Sequence, residues 1–240
     1  HLGARLGQLG LDLHDLARLG DDAQGGGNPV VPLVRALGAV LPEDARPWAH
    51  YGATSQDILD TALMLMARRA GLLLLADGVA AADGCAALVG RHRDTVMVAR
   101  TLGQQAGLTT FGLKAAGWLT SLDESVERLR TVLQTRLAVQ LGGAAGTLGV
   151  LGSRGVAVLA RLAELLELAE PVLPWHTDRQ RVLALTAALG GVVAASGKLA
   201  LDVELLAQTE VAEVSERTVG SDGQPHGGSS TLPHKHNPVD

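Results

Sequence analysis

The chain has 240 residues, of which 47% are apolar and 19% charged, with a net charge of −5; this excludes a disordered tail and offers no basic footprint for wrapping nucleic acid. The single cysteine, Cys85, leaves neither an intrachain disulfide nor a thiolate cluster for zinc, as expected in a reducing cytoplasm. Apolar runs such as Gly71 to Leu75 are too short to span a bilayer, and His1 to Gly10 lacks the apolar block of a signal peptide, so a soluble cytoplasmic globule without membrane partners is expected.

Aromatic residues make up only 2% of the chain, so the core must be built from Leu, Val and Ala, which interdigitate well between helices. Gly25-Gly26-Gly27-Asn28-Pro29 reads as a loop. No proline occurs in 48–170 or 175–224, and long helices can run there. Thr54-Ser55-Gln56-Asp57 has capping-box spacing and predicts the start of a helix toward Arg93, with Gly71, Gly78, Gly84 and Gly90 allowing close neighbours. Leu108, Phe111, Ala115, Trp118, Leu122, Val126, Leu129, Leu133 and Leu137 recur by three or four, predicting a helix over 107–140. Further helices are expected over 154–170 and 180–217, the latter with Leu199, Val203, Leu206 and Val214 inward. Glu210, Glu213 and Glu216 then form an acidic stripe, read as a solvated helix face. No stretch alternates as a half-buried strand would, so the class is all-α.

The segment from Val219 to Pro238 is rich in glycine and proline. Its composition fits a polar linker, while its length inside a helical chain fits a functional lid. His226, His234 and His236 lack the fixed spacing and neighbouring acid of a metal site, and no metal is expected.

Within that segment, Gly228-Ser229-Ser230-Thr231-Leu232-Pro233-His234-Lys235-His236-Asn237-Pro238 resembles the signature loop of the fumarase/aspartase superfamily, written GSSxMPxKxNP, with Leu232 in place of Met. His50-Tyr51-Gly52-Ala53-Thr54-Ser55-Gln56-Asp57 is similar to its TSxD block and Arg100-Thr101-Leu102-Gly103-Gln104-Gln105 to its THxQ block, in family order. Gly27-Asn28-Pro29-Val30-Val31-Pro32-Leu33-Val34 resembles the GNPVIPLV block of the family's 3-carboxy-cis,cis-muconate cycloisomerase branch, the lactonizing enzymes, and 50–57 its HWGATSQD. Pro174-Trp175-His176-Thr177-Asp178-Arg179-Gln180-Arg181 is similar to that branch's PWHTQRDR with acid and amide exchanged, which leaves the roles of Asp178 and Gln180 open.

The resemblance implies an all-α long-helix bundle of the fumarase/aspartase type, with central helices forming the core of a homotetramer and active sites shared between subunits. By the same resemblance, residues 1–50 are expected to correspond to the remainder of an N-terminal helical domain and 51–240 to the central domain with its loop at 219–238, with no part of the family's C-terminal domain expected among these 240 residues. The implied activity interconverts 3-carboxy-cis,cis-muconate and 4-carboxymuconolactone, without a cofactor, on a small tricarboxylate substrate. By the same resemblance Ser229 is the base, Lys235 neutralises the intermediate and Asn237 anchors the loop. Thr54 and Ser55, at a helix N-terminus that favours anions, bind a substrate carboxylate, with Gln104, Thr101, Asn28 and His50 as further contacts.

One departure bears on the chemistry. Adenylosuccinate lyase has a histidine after the threonine of the THxQ block, a general acid for the leaving nitrogen, whereas Leu102 stands here. A lactone opens to a carboxylate of pKa about 4, which leaves as an anion unaided. A fumarate-releasing lyase such as adenylosuccinate lyase and a non-catalytic scaffold, like the crystallins of this superfamily, are the other readings.

Overall fold

The computed structural model describes residues 13–215, 227–232 and 237. Its helices are α1 (Leu13–Gly26), α2 (Val30–Val40), α3 (Ser55–Arg91), α4 (Phe111–Thr135), α5 (Gly155–Leu166) and α6 (Gln180–Leu206); strands β1 (Val96–Thr101) and β2 (Gln104–Thr110) lie between α3 and α4. The chain divides into two compact units, one of His1–Leu72 with Thr131–Leu185, the other of Leu73–Arg130 with Thr186–Asp240, and α3, α4 and α6 contribute residues to both. The architecture is mostly helical, as expected.

In the first unit, Met64 of α3, Leu159 and Ala163 of α5, and Leu137, Val139, Leu141, Leu168 and Trp175 from the connecting segments form the core. Residues 137–143 are all buried, and 137–142 belong to no helix. Ala138 forms a parallel bridge with Ala169, and Val139 N–H donates to Ala169 O at 3.1 Å. The helix predicted over 107–140 therefore ends earlier, at Thr135, because the chain beyond it pairs its backbone with a neighbouring segment. Gly71 lies against Leu133, whose methyl carbons would be 2.6 Å from an added Cβ, so the tight approach expected there is present.

In the second unit, Ala82 and Cys85 of α3, Met97 of β1, Ala115, Trp118 and Leu122 of α4, and Ala195 and Leu206 of α6 form the core. Phe111 and Trp118 meet edge to face at 5.7 Å between ring centres, and Trp118 Nε1–H donates to Asp202 Oδ2 at 2.6 Å. Gly78 packs on Val126, while Gly84 and Gly90 have open space beside them.

The antiparallel hairpin corrects the all-helical expectation for 96–110. Val96 pairs with Thr110 and Thr101 with Gln104, with a bulge between Ala99 and Arg100. Leu108, read as the first residue of a helix stripe, lies on β2 and is 80% exposed. The helix over 180–217 likewise stops at Leu206, where Glu213 N–H turns back to Leu206 O at 3.0 Å. Glu210 and Glu213 are therefore not on a helix face, and Glu216 lies outside the described residues.

By length and composition, α3 and α6 are each long and apolar enough to cross a membrane, which differs from the reading of short apolar runs. Met66 and Leu73 on α3 and Val193 and Leu201 on α6 are exposed in this chain.

Candidate active site

The N-terminus of α3 organises the first group of candidate residues. Asn28 Nδ2–H donates to Ser55 Oγ at 2.7 Å, and Asn28 Oδ1 accepts Val30 N–H at 2.9 Å at the start of α2. Thr54 and Ser55 are half-buried at the N-terminal end of α3. The reciprocal half of the predicted capping box is present: Thr54 N–H donates to Asp57 Oδ2 at 2.9 Å. His50 adopts a positive φ of 61°, and its buried Nδ1 has no hydrogen-bond partner among the described residues.

Asp57 does more than cap. Its carboxylate also accepts Gly142 N–H at 3.0 Å, Gly143 N–H at 2.9 Å and Gln140 Nε2–H at 2.8 Å. These bonds hold the 140–143 segment to the turn that carries Thr54 and Ser55. Gly143 has a φ of +71°, and an added Cβ would sit 2.7 Å from Gly52 O, so glycine is needed for this approach. Asp60, one helical turn on, is buried and accepts two hydrogen bonds from Arg179, at 2.7 and 2.9 Å. That bond to Asp60 keeps the Arg179 guanidinium above its ordinary pKa. Asp178 Oδ1 accepts Gln180 N–H at 3.1 Å and so caps α6, which gives the exchanged acid a structural role.

A second group lies on the hairpin. Thr101 and Gln104 are paired and exposed on either side of a two-residue turn, Leu102-Gly103, whose φ values are 51° and 75°. Leu102 is fully exposed, at 101%. A leucine in this left-handed conformation costs on the order of 1 kcal/mol. Arg100, beside this turn, grips Glu213 with two bonds of 2.7 and 2.9 Å. The Arg100 hydrogen bond holds the Glu213 carboxyl below the ordinary range.

The third group is the glycine-rich loop. Ser229 is half-buried, and its Oγ accepts Thr231 N–H at 3.3 Å and Leu232 N–H at 3.1 Å. Two backbone donors thus point at the oxygen that would carry negative charge in a serine base. Asn237 N–H donates to Gly227 O at 2.6 Å and joins the two ends of the loop through the main chain. Lys235, with His226, His234 and His236, lies outside the described residues.

The blocks carrying these groups also decide the family. Residues 29–240 match the sequence model of a family described as lyase. The chain belongs to this lyase family. Among its relatives, a 3-carboxy-cis,cis-muconate cycloisomerase of Bradyrhizobium diazoefficiens is 47% identical over 94% of this chain and 50% of that protein. A nitrosuccinate lyase of Streptomyces davaonensis is 46% identical over 95% of this chain and 49% of that protein. The crystal structure of 3-carboxy-cis,cis-muconate lactonizing enzyme from Pseudomonas putida superposes with a TM-score of 0.82 at 40% identity, covering 92% of this chain and 48% of that one. The chain thus spans about half the length of the curated relatives it matches, and the lyase family's helical fold is the fold found here.

The sequence pattern did not mark Gln140 or Asp60, and it gave Arg179, within the 174–181 block, no role. Gln140 was the findable one, as the single amide in the otherwise apolar run from Leu137 to Gly143.

Proposed function

We propose that the protein is a 3-carboxy-cis,cis-muconate cycloisomerase, interconverting that tricarboxylate and 4-carboxymuconolactone without a cofactor. The observation that carries this is Leu102, exposed at the tip of the hairpin between Thr101 and Gln104. Core packing does not account for an apolar residue at such a position, nor does turn geometry, which favours glycine, asparagine or aspartate. Its meaning is chemical. A reaction whose leaving group departs as a stable carboxylate needs no acid there, whereas expelling an amine does.

In the lactone-opening direction, Ser229 removes the proton on the carbon next to a carboxylate. The electron pair flows into that carboxylate, and the ring C–O bond then breaks with its electrons leaving on oxygen as the new carboxylate. Thr231 N–H and Leu232 N–H support the Ser229 oxygen as it loses its proton. Lys235 neutralises the dianionic intermediate, and Asn237 anchors the loop. Thr54 and Ser55 bind a substrate carboxylate at the N-terminus of α3, assisted by Asn28, His50, Thr101 and Gln104.

The same reading gives a homotetramer whose sites combine residues of several subunits. The apolar side chains left exposed on α3 and α6 support such assembly. Residues 1–50 then belong to the N-terminal domain, 51–240 to the central one, and the enzyme works in the cytoplasm on a soluble substrate.

A second reading, a lyase splitting a nitro-substituted dicarboxylate, is favoured by the nitrosuccinate lyase relative. It too would expel a stable anion. Assaying the protein with 3-carboxy-cis,cis-muconate and with nitrosuccinate separates the two, and turnover of nitrosuccinate alone would replace the first reading with the second.

A further inference from the structure

His176 lies in the 174–181 block, and its histidine has so far carried no role. Its surroundings fix which ring nitrogen holds the proton. Gln140 is 1% exposed, its Oε1 accepts Trp175 N–H at 2.6 Å, and its Nε2–H donates to Asp57 Oδ1 at 2.8 Å. Turning that amide over would set an oxygen against the Asp57 carboxylate and an NH₂ group against the Trp175 N–H, so its orientation is determined. The second Nε2 hydrogen then points to His176 Nδ1, 3.0 Å away. Nδ1 must therefore accept, and the ring proton sits on Nε2.

The rest of the residue is held equally firmly. Arg179 Nη1–H donates to His176 O at 3.2 Å, while Arg179 is itself fixed by Asp60. The ring lies against Gly146, where an added Cβ would come within 3.1 Å of Cε1. His176 is half-buried, and among the described residues no acceptor meets Nε2. The Asp57 carboxylate that aims it also holds Thr54 N–H, so one hydrogen-bonded chain joins His176 to the turn carrying Thr54 and Ser55.

We propose that His176 is a substrate-binding residue whose Nε2–H donates to a carboxylate of the substrate, with Gln140 and Asp57 as positioning residues that fix its tautomer. A preset donor of this kind binds an anionic oxygen without rearrangement. The proposal rests on the reading that the substrate is a polycarboxylate.

The test compares the wild-type chain with His176→Phe, which keeps a ring without donors, His176→Gln, whose amide reaches the Nε2 position, and His176→Asn, whose amide does not. With 3-carboxy-cis,cis-muconate, the Phe and Asn variants should raise KM about 10- to 100-fold with kcat within about threefold, the loss expected for one hydrogen bond to a charged group. The Gln variant should recover most of that loss. A KM unchanged in the Phe variant, or equal losses in Gln and Asn, would overturn the assignment. If the Phe variant does not fold, the Gln and Asn comparison decides alone. Should the wild type leave the muconate untouched, the proposed function falls while the donor is still tested, by calorimetric titration with propane-1,2,3-tricarboxylate. Binding about tenfold weaker in the Asn than in the Gln variant supports the donor, and equal binding or no binding contradicts it.

Discussion

The Asn28 side chain holds Ser55 by a 2.7 Å hydrogen bond to its hydroxyl oxygen while its own oxygen caps α2. With that oxygen already engaged as acceptor, the Ser55 hydroxyl proton is left to serve a ligand. Asn28→Asp keeps the cap but offers Ser55 an acceptor, which takes up that proton. KM should rise about tenfold while the melting temperature stays within a few degrees. Steady-state kinetics with a parallel thermal melt check this, and an unchanged KM would remove Asn28 from the binding group.

Ser229→Ala removes the oxygen on which the Thr231 and Leu232 N–H groups converge. Turnover should fall by about 10²- to 10⁴-fold, the usual contribution of a positioned proton acceptor, with helicity by circular dichroism unaltered. Activity at the wild-type rate would assign the proton transfer to another group.

Arg179→Met leaves the Asp60 carboxylate, 2% exposed, with only Gln56 as a hydrogen-bond donor among the described residues. A dry ion pair broken this way costs about 3–5 kcal/mol, but the Arg179 side chain is 44% exposed and partly hydrated, so about 2 kcal/mol is expected. Urea unfolding of the single variant measures it. A double variant with Asp60→Leu should regain part of the loss, because no buried charge then remains.

The Arg100 and Glu213 pair makes a pH-dependent contribution. Glu213 has its pKa lowered in the folded chain, so the stabilisation is present above the unfolded carboxyl value and is lost as pH falls through the folded value. Glu213→Gln should melt a few degrees below wild type at pH 7, with the gap closing toward pH 3. A gap that is constant over this range would mean that the carboxylate charge contributes nothing.

The long helices were legible because their apolar stripes are regular: Ala115, Trp118, Leu122, Val126 and Leu129, spaced by three or four, are all buried. The hairpin was hidden for a physical reason. Val96, Met97, Val98 and Ala99 are all apolar, so no alternation marks a strand, and the turn uses Leu-Gly in place of the usual Asn-Gly. The α6 end was missed because Glu210, Glu213 and Val214 keep a helical spacing although the chain has already turned at Leu206. In the site, Asn28 and Ser55 were named from motifs, but their bond joins residues 27 apart, and the Asp57 bond to Gln140 joins residues 83 apart. Such pairings depend on tertiary packing, which periodicity does not encode.

The central claim is that the leaving group departs as a stable carboxylate, so that Leu102 suffices where a nitrogen lyase needs an acid. Incubating the protein separately with 3-carboxy-cis,cis-muconate, nitrosuccinate and adenylosuccinate, and following each by its ultraviolet absorbance, tests this most directly. The account predicts conversion of the muconate with adenylosuccinate left intact. Cleavage of adenylosuccinate with Leu102 in place, or failure to convert the muconate, would contradict it.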